Sequence, residues 1–108
     1  MDISFRVLHR TLVIKVYGAF DYAKSLKLCE LLRGAKIRKY SNVLFDLAPV
    51  STIDTSGLGL IAFLCRQAEK RGGRIRLVKP SPQLRQMLEL ARAPGLEAVR
   101  FSKGKLLG

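Results

Sequence analysis

At 108 residues, 48% of them hydrophobic, the chain suits one compact domain and leaves little room for a second. No apolar stretch approaches the roughly 20 residues that a bilayer-spanning helix needs, which argues against membrane insertion. Twenty Lys and Arg against eight Asp and Glu give a net charge of +12, enough to attract a polyanion of any kind.

Ile3, Phe5 and Val7 alternate, as do Leu12, Ile14 and Val16 within Thr11 to Tyr17, so two strands are predicted. The break at His9-Arg10 predicts an antiparallel hairpin, although it lacks an Asn-Gly pair. Gly18 ends the second strand. From Tyr22 the period becomes helical, with Leu28, Leu31, Leu32 and Ala35 on one face and Lys24, Lys27 and Arg33 elsewhere. Ser41-Asn42 marks a turn before Val43 to Leu47, a nearly continuous apolar strand of the kind buried on both faces.

Ala48 to Ser56, with Pro49 and several hydroxyl residues, reads as a loop. A helix is predicted from Gly57 to Arg71, stopped by Gly72-Gly73, and the apolar run Leu58 to Cys65 makes its start a buried one. Ile75 to Val78 is the next strand. Ser81-Pro82 opens another helix, with Ser as N-cap and Pro at the first position, and Leu84, Met87, Leu88 and Ala91 as its buried stripe. Pro94-Gly95 breaks it, and Ala98 to Phe101 reads as a last strand.

The order β-β-α-β-α-β-α-β is an α/β pattern with a mixed, mostly parallel sheet and right-handed crossovers. Such sheets place ligand sites at the carboxyl ends of their strands, where two loops are expected, Gly18 to Asp21 and Ala48 to Ser56. Cys29 and Cys65 fall on helical patterns and read as buried thiols rather than a disulfide. No His/Cys cluster has metal-ligand spacing, so no metal or cofactor is expected. The N-terminus has no basic region followed by an apolar stretch and a cleavage site, which predicts a cytoplasmic protein.

Asp54-Thr55-Ser56-Gly57 stands at a helix start. First-turn amides lack internal partners and carry the positive end of the helix dipole, so Asp, Thr or Ser can cap them, and a phosphate is also favoured there. The residues alone leave both readings open. Three cap-type residues stand where one would suffice. Gly57 and Gly59 lie in the first turn, where glycine costs up to about 1 kcal/mol relative to alanine and allows another surface to approach. That combination suits a docking surface better than a plain helix start.

The stretch Val43 to Leu47, Val50 and Ile53-Asp54-Thr55-Ser56-Gly57-Leu58-Gly59, followed by a long apolar helix, resembles the STAS family, and within it the bacterial anti-sigma factor antagonists. Gly18-Ala19-Phe20-Asp21, Gly72-Gly73 and Ser81-Pro82 extend the resemblance over nearly the whole chain as a single STAS-like domain, residues 1–108. It implies a partner switch without enzymatic activity of its own. The unphosphorylated antagonist binds an anti-sigma factor that is also a serine/threonine kinase, the kinase phosphorylates the hydroxyl residue after the Asp, and a metal-dependent serine phosphatase reverses this. The implied phosphoacceptor is Thr55, with Asp21, Asp54, Ser56, Gly57, Leu58 and Gly59 as partner-binding residues.

Three features depart from that pattern. Thr55 stands where many antagonists have Ser, only Ser102 to Gly108 follow Phe101 where the family often has a further helix, and the charge is unusually positive. Arg33, Lys36, Arg38 and Lys39 lie at one helix end, and Arg66, Lys70, Arg71, Arg74 and Arg76 around another, either as a solvated surface or as an attraction to an acidic partner. Nucleic acid is disfavoured because the chain has no recognition-helix motif and no aromatic stacking platform. The alternative function is a structural subunit like the STAS component of bacterial phospholipid-transport ABC complexes. An enzymatic reading, with Asp21, Asp46 and Asp54 as a magnesium cluster, lacks a suitably placed lysine, and His9 has no nucleophile partner.

Overall fold

The alternation at the start of the chain produces the predicted hairpin: β1 (Ile3–Leu8) and β2 (Thr11–Val16) pair antiparallel, with Ile3 opposite Val16 and Leu8 opposite Thr11. The structure, a computed structural model, describes residues 2–34, 39–40, 42–91 and 100–102. His9 and Arg10 turn the chain at φ 50° and 65°. A two-residue loop whose central residues both have positive φ twists with its strands, so the hairpin forms even without the Asn-Gly pair that adopts this geometry most readily.

The chain continues through β3 (Gly18–Phe20), α1 (Tyr22–Gly34), β4 (Asn42–Asp46), β5 (Val50–Ile53), α2 (Thr55–Lys70), β6 (Arg74–Val78), α3 (Pro82–Ala91) and β7 (Arg100–Ser102). One sheet has the order β1-β2-β4-β6-β7, with β1 antiparallel and the other neighbours parallel. The α/β class and the mixed, mostly parallel sheet are those expected.

Two corrections concern the segments read as loops. Gly18 does not end β2 but begins β3, at φ 80°, and Val50 to Ile53 form β5; together they make a separate parallel pair. Strands of three or four residues are too short for alternation to register, and Gly18 and Pro49 look like breakers at their starts. Asn42 is the first residue of β4 rather than part of a turn, and α2 runs from Thr55 to Lys70 with Arg71 as its C-cap. Ala35, Pro94-Gly95, Ala98 and Val99 lie outside the described residues.

One apolar cluster joins Leu12, Ile14 and Val16 of β2, Val43 and Phe45 of β4 and Ile75 and Leu77 of β6 to Leu28 and Leu32, Leu60, Ile61, Leu64 and Cys65, and Leu84 and Leu88 of the three helices. Each such side chain contributes about 1.5–3 kcal/mol on burial. The opposite face of the sheet carries a smaller cluster of Val13, Leu44 and Val78, which explains why Val43 to Leu47 is buried throughout. The helical stripes are narrower than expected: Leu31 and Met87 are exposed. The phenyl rings of Phe20 and Phe45 stack with centroids 5.9 Å apart, fastening the small β3–β5 pair to the main sheet.

Ser81 caps α3 as predicted, its Oγ accepting from the Leu84 amide at 3.1 Å. Neither cysteine is in a disulfide; Cys65 is buried, but Cys29 is only half-buried. Burial, helped by the charge of Glu69, pushes the Cys65 thiol from 9.0 up to about 12. Because only the thiolate reacts, iodoacetamide at pH 8 is expected to alkylate Cys29 in the native chain and Cys65 only after unfolding, as peptide mass spectrometry would report. Equal native-state rates would contradict this packing. The protonated thiol favours the fold, so its contribution is full below pH 9.0 and is lost as the pH rises towards about 12.

Candidate functional site

In the β3–β5 pair, Ala19 lies opposite Thr52 and Phe20 opposite Ile53. The next residue on each strand is an aspartate, and each aspartate caps the helix that follows. Asp21 accepts from the Lys24 amide at 3.0 Å through Oδ1, while its carbonyl accepts from the Ser25 amide and hydroxyl at 2.9 and 2.8 Å. Asp54, extended at φ −106° and ψ −176°, accepts from the Gly57 amide at 3.0 Å through Oδ1, and its carbonyl accepts from the Leu58 amide at 3.0 Å. The Asp54 amide donates to the Phe20 carbonyl at 3.3 Å. Two strand–aspartate–helix units therefore run side by side, and both helix amino termini open at the same end of the molecule.

Of the three candidate caps, Asp54 takes the role. Thr55 is exposed and Ser56 half-buried, and among the described residues no hydrogen bond engages either hydroxyl. Replacing Asp54 by alanine is expected to lower stability by about 0.5–2 kcal/mol, read as a reduced urea midpoint, while Asp54→Asn retains most of it. An unchanged midpoint for Asp54→Ala would mean that the cap does not hold this helix.

Gly57 has a different role from the one expected. It is buried, and a Cβ there would lie 2.7 Å from the Phe20 carbonyl oxygen and 2.7 Å from Ile53 Cγ1. The close approach that its glycine permits is internal, between the first turn of α2 and β3. Gly59 is exposed with nothing within 4 Å of an added Cβ. Leu58 is partly buried against the core. Asp21, Asp54, Thr55 and Gly59 thus remain at the surface, whereas Ser56 and Leu58 do so only in part.

Sequence reasoning missed the apolar side chains beside these residues. Thr55, Gly59 and Phe63 recur every fourth residue and share one face of α2; Phe63 is 47% exposed. On α1, Tyr22 and Leu26 follow Asp21 with the same spacing and are 62% and 48% exposed. The signal was available for Phe63, which falls outside the set of Leu60, Ile61, Leu64, Cys65 and Ala68 that forms the buried stripe. It was masked by its position inside a continuous apolar run.

Asp46 stands apart from the two capping aspartates. It is buried, accepts from the Ala48 amide at 3.0 Å and lies 3.8 Å from Lys15 Nζ, so that it shapes the turn leading into β5. Among the described residues no group of His, Cys, Asp and Glu is arranged to hold a metal ion, and no helix is long and apolar enough to cross a membrane.

The family model of the STAS domain matches residues 2–100. An anti-sigma F factor antagonist of Lysinibacillus sphaericus is 27% identical over 86 residues, which cover 79% of this chain and 74% of that protein. Among solved structures, the anti-sigma factor antagonist SpoIIAA in its unphosphorylated form superposes with a TM-score of 0.75 at 22% identity, covering 95% of this chain and 89% of that one. The Bacillus cell fate determinant SpoIIAA in its phosphorylated form gives 0.73 at 21% identity, covering 94% and 91%.

Proposed function

This chain belongs to the STAS domain family, and from that premise we propose that it is an anti-sigma factor antagonist switched by phosphorylation of Thr55. One observation carries the reading: Asp54 performs the capping, which leaves the Thr55 hydroxyl exposed at the amino terminus of α2 and, among the described residues, without a hydrogen bond. The anti-sigma F factor antagonist to which the chain is similar supports the choice of partner. In this reading the partner is an anti-sigma factor with serine/threonine kinase activity, and a metal-dependent serine phosphatase restores the binding form. The protein acts in the cytoplasm and supplies no catalytic group.

The docking surface comprises the outward stripe Thr55, Gly59 and Phe63 with Asp21, Tyr22 and Leu26 beside it. Exposed aromatic and aliphatic side chains around a polar centre provide the apolar contact that anchors an interface. A phosphate on Thr55 adds about −1.5 to −2 charge next to the carboxylates of Asp54 and Asp21. The helix terminus tolerates that charge, but an apolar partner would have to desolvate it. Phosphorylation therefore disrupts binding without disrupting the fold.

Affinity capture of the tagged chain from its own cells, with phosphosite mapping of the bait, tests this. The expected result is an anti-sigma factor of the kinase type, with phosphate on Thr55 confined to uncomplexed bait. Recovery of an ABC transporter ATPase, with no phosphate on Thr55, would overturn it.

A further inference from the structure

A second site lies at the other end of the sheet and faces away from the main core. Cross-strand partners in a ladder project to the same face. The register therefore lines up Thr11, Asn42 and Arg74 in one row across β2, β4 and β6, and Val13, Leu44 and Arg76 in the next. Leu12, Val43 and Ile75, which alternate with them, point into the main core. The first row stands at the amino-terminal ends of the parallel strands, opposite the carboxyl ends that lead towards Asp21 and Asp54.

Here a cavity of about 180 Å3 opens, with His9, Thr11, Asn42, Leu44, Arg74 and Arg76 in its lining. Its polar groups can all donate hydrogen bonds: two guanidiniums, an amide, a hydroxyl and an imidazole. Among the described residues no carboxylate belongs to the lining. Asp46, the one acid in these three strands, sits in the row beyond and is held by the Ala48 amide and Lys15. Among the described residues no ion pair or hydrogen bond satisfies the side chain of Arg74 or Arg76. Two residues apart on one strand face, these arginines are spaced by roughly 7 Å at 3.3 Å per residue. Two cations at that spacing repel each other, and an anion between them relieves the repulsion.

We propose that this pocket binds a small phosphate monoester, with Arg74 and Arg76 holding the phosphate and Thr11, Asn42 and His9 donating around it. Guanidinium forks match phosphate oxygens in geometry as well as charge. The volume falls below the roughly 300–1,000 Å3 of sites for drug-sized ligands, which limits the occupant to a phosphate with a short organic group. Leu44 provides the apolar wall for that group. The arginines that read in the sequence as part of a diffuse basic surface are here convergent.

The test is a titration of inorganic phosphate into the ¹⁵N-labelled full chain at constant ionic strength, followed by amide chemical shifts. Saturable shifts are expected at His9, Thr11, Asn42, Arg74 and Arg76. The double variant Arg74→Gln/Arg76→Gln should bind at least tenfold more weakly with its spectrum otherwise preserved. Lys70→Gln/Arg71→Gln, which removes the same charge elsewhere, should bind as the unmodified chain does. Equal weakening in both variants, or unsaturable shifts spread over all basic residues, would reduce the effect to net charge and overturn the proposal. So would a short single-stranded oligonucleotide that occupied these residues when phosphate did not. None of these outcomes depends on whether Thr55 is phosphorylated.

Discussion

Thr55→Glu is expected to weaken binding to the anti-sigma partner more than a hundredfold, about 3 kcal/mol, whereas Thr55→Ala binds within a few-fold of the unmodified chain. The glutamate places a permanent charge on the stripe shared with Gly59 and Phe63, beside the carboxylates of Asp54 and Asp21. Alanine removes a methyl group and a hydroxyl from an exposed position, and the hydroxyl makes no hydrogen bond among the described residues. Titration calorimetry with the captured partner measures both. A negative side chain in the first turn of a helix is favoured by the dipole, so Thr55→Glu should melt no lower than the unmodified chain. Loss of binding can then be separated from loss of fold. Equal affinities for the two variants would remove Thr55 from the interface.

The second large effect is expected from Gly57→Ala, which should lower stability by about 1–3 kcal/mol, the range for forcing extra volume into a packed site. The added methyl group would meet the Phe20 carbonyl oxygen and Ile53 Cγ1, each at 2.7 Å. The first belongs to backbone that is tied to Asp54 by a hydrogen bond and cannot swing aside as a side chain would. Gly59→Ala, two residues further along the same helix, should instead gain about 0.5–1 kcal/mol, because it meets no neighbour and restricts the unfolded chain. Urea denaturation of the pair decides the matter. If both variants moved in the same direction, the assignment of Gly57 to internal packing would fail.

Much of the architecture was legible because its elements are long enough to show a period. The alternation around Leu12, Ile14 and Val16, the helical spacing after Thr55 and the Ser81-Pro82 cap each report a local rule that the fold obeys. What was not legible depends on partners distant in sequence. The β3–β5 pair forms because Gly18 donates to the Pro49 carbonyl at 2.9 Å and Phe20 packs on Phe45, and neither contact leaves a pattern within its own segment. The same applies to Gly57. A glycine that admits a visiting surface and a glycine that admits a neighbouring strand have the same letter, and only the position of Phe20 distinguishes them. Phe63 was overlooked for the opposite reason: its apolar character matched the core, and its place on the helix did not. The motif around Thr55 could be singled out as a candidate site, but which of its three polar residues does the capping is set by backbone geometry at Asp54.

That division of labour has a consequence for how the protein can change over generations. Because Asp54 anchors the helix, the identity of residue 55 is nearly free of structural constraint. Serine, threonine or a fixed charge can replace one another there while the scaffold stays intact. The threonine in this chain, where many antagonists carry serine, is thus a substitution the fold does not register. Under the function proposed above, the acceptor at residue 55 could then be matched to its kinase by exchanging a single side chain, with no cost to the fold.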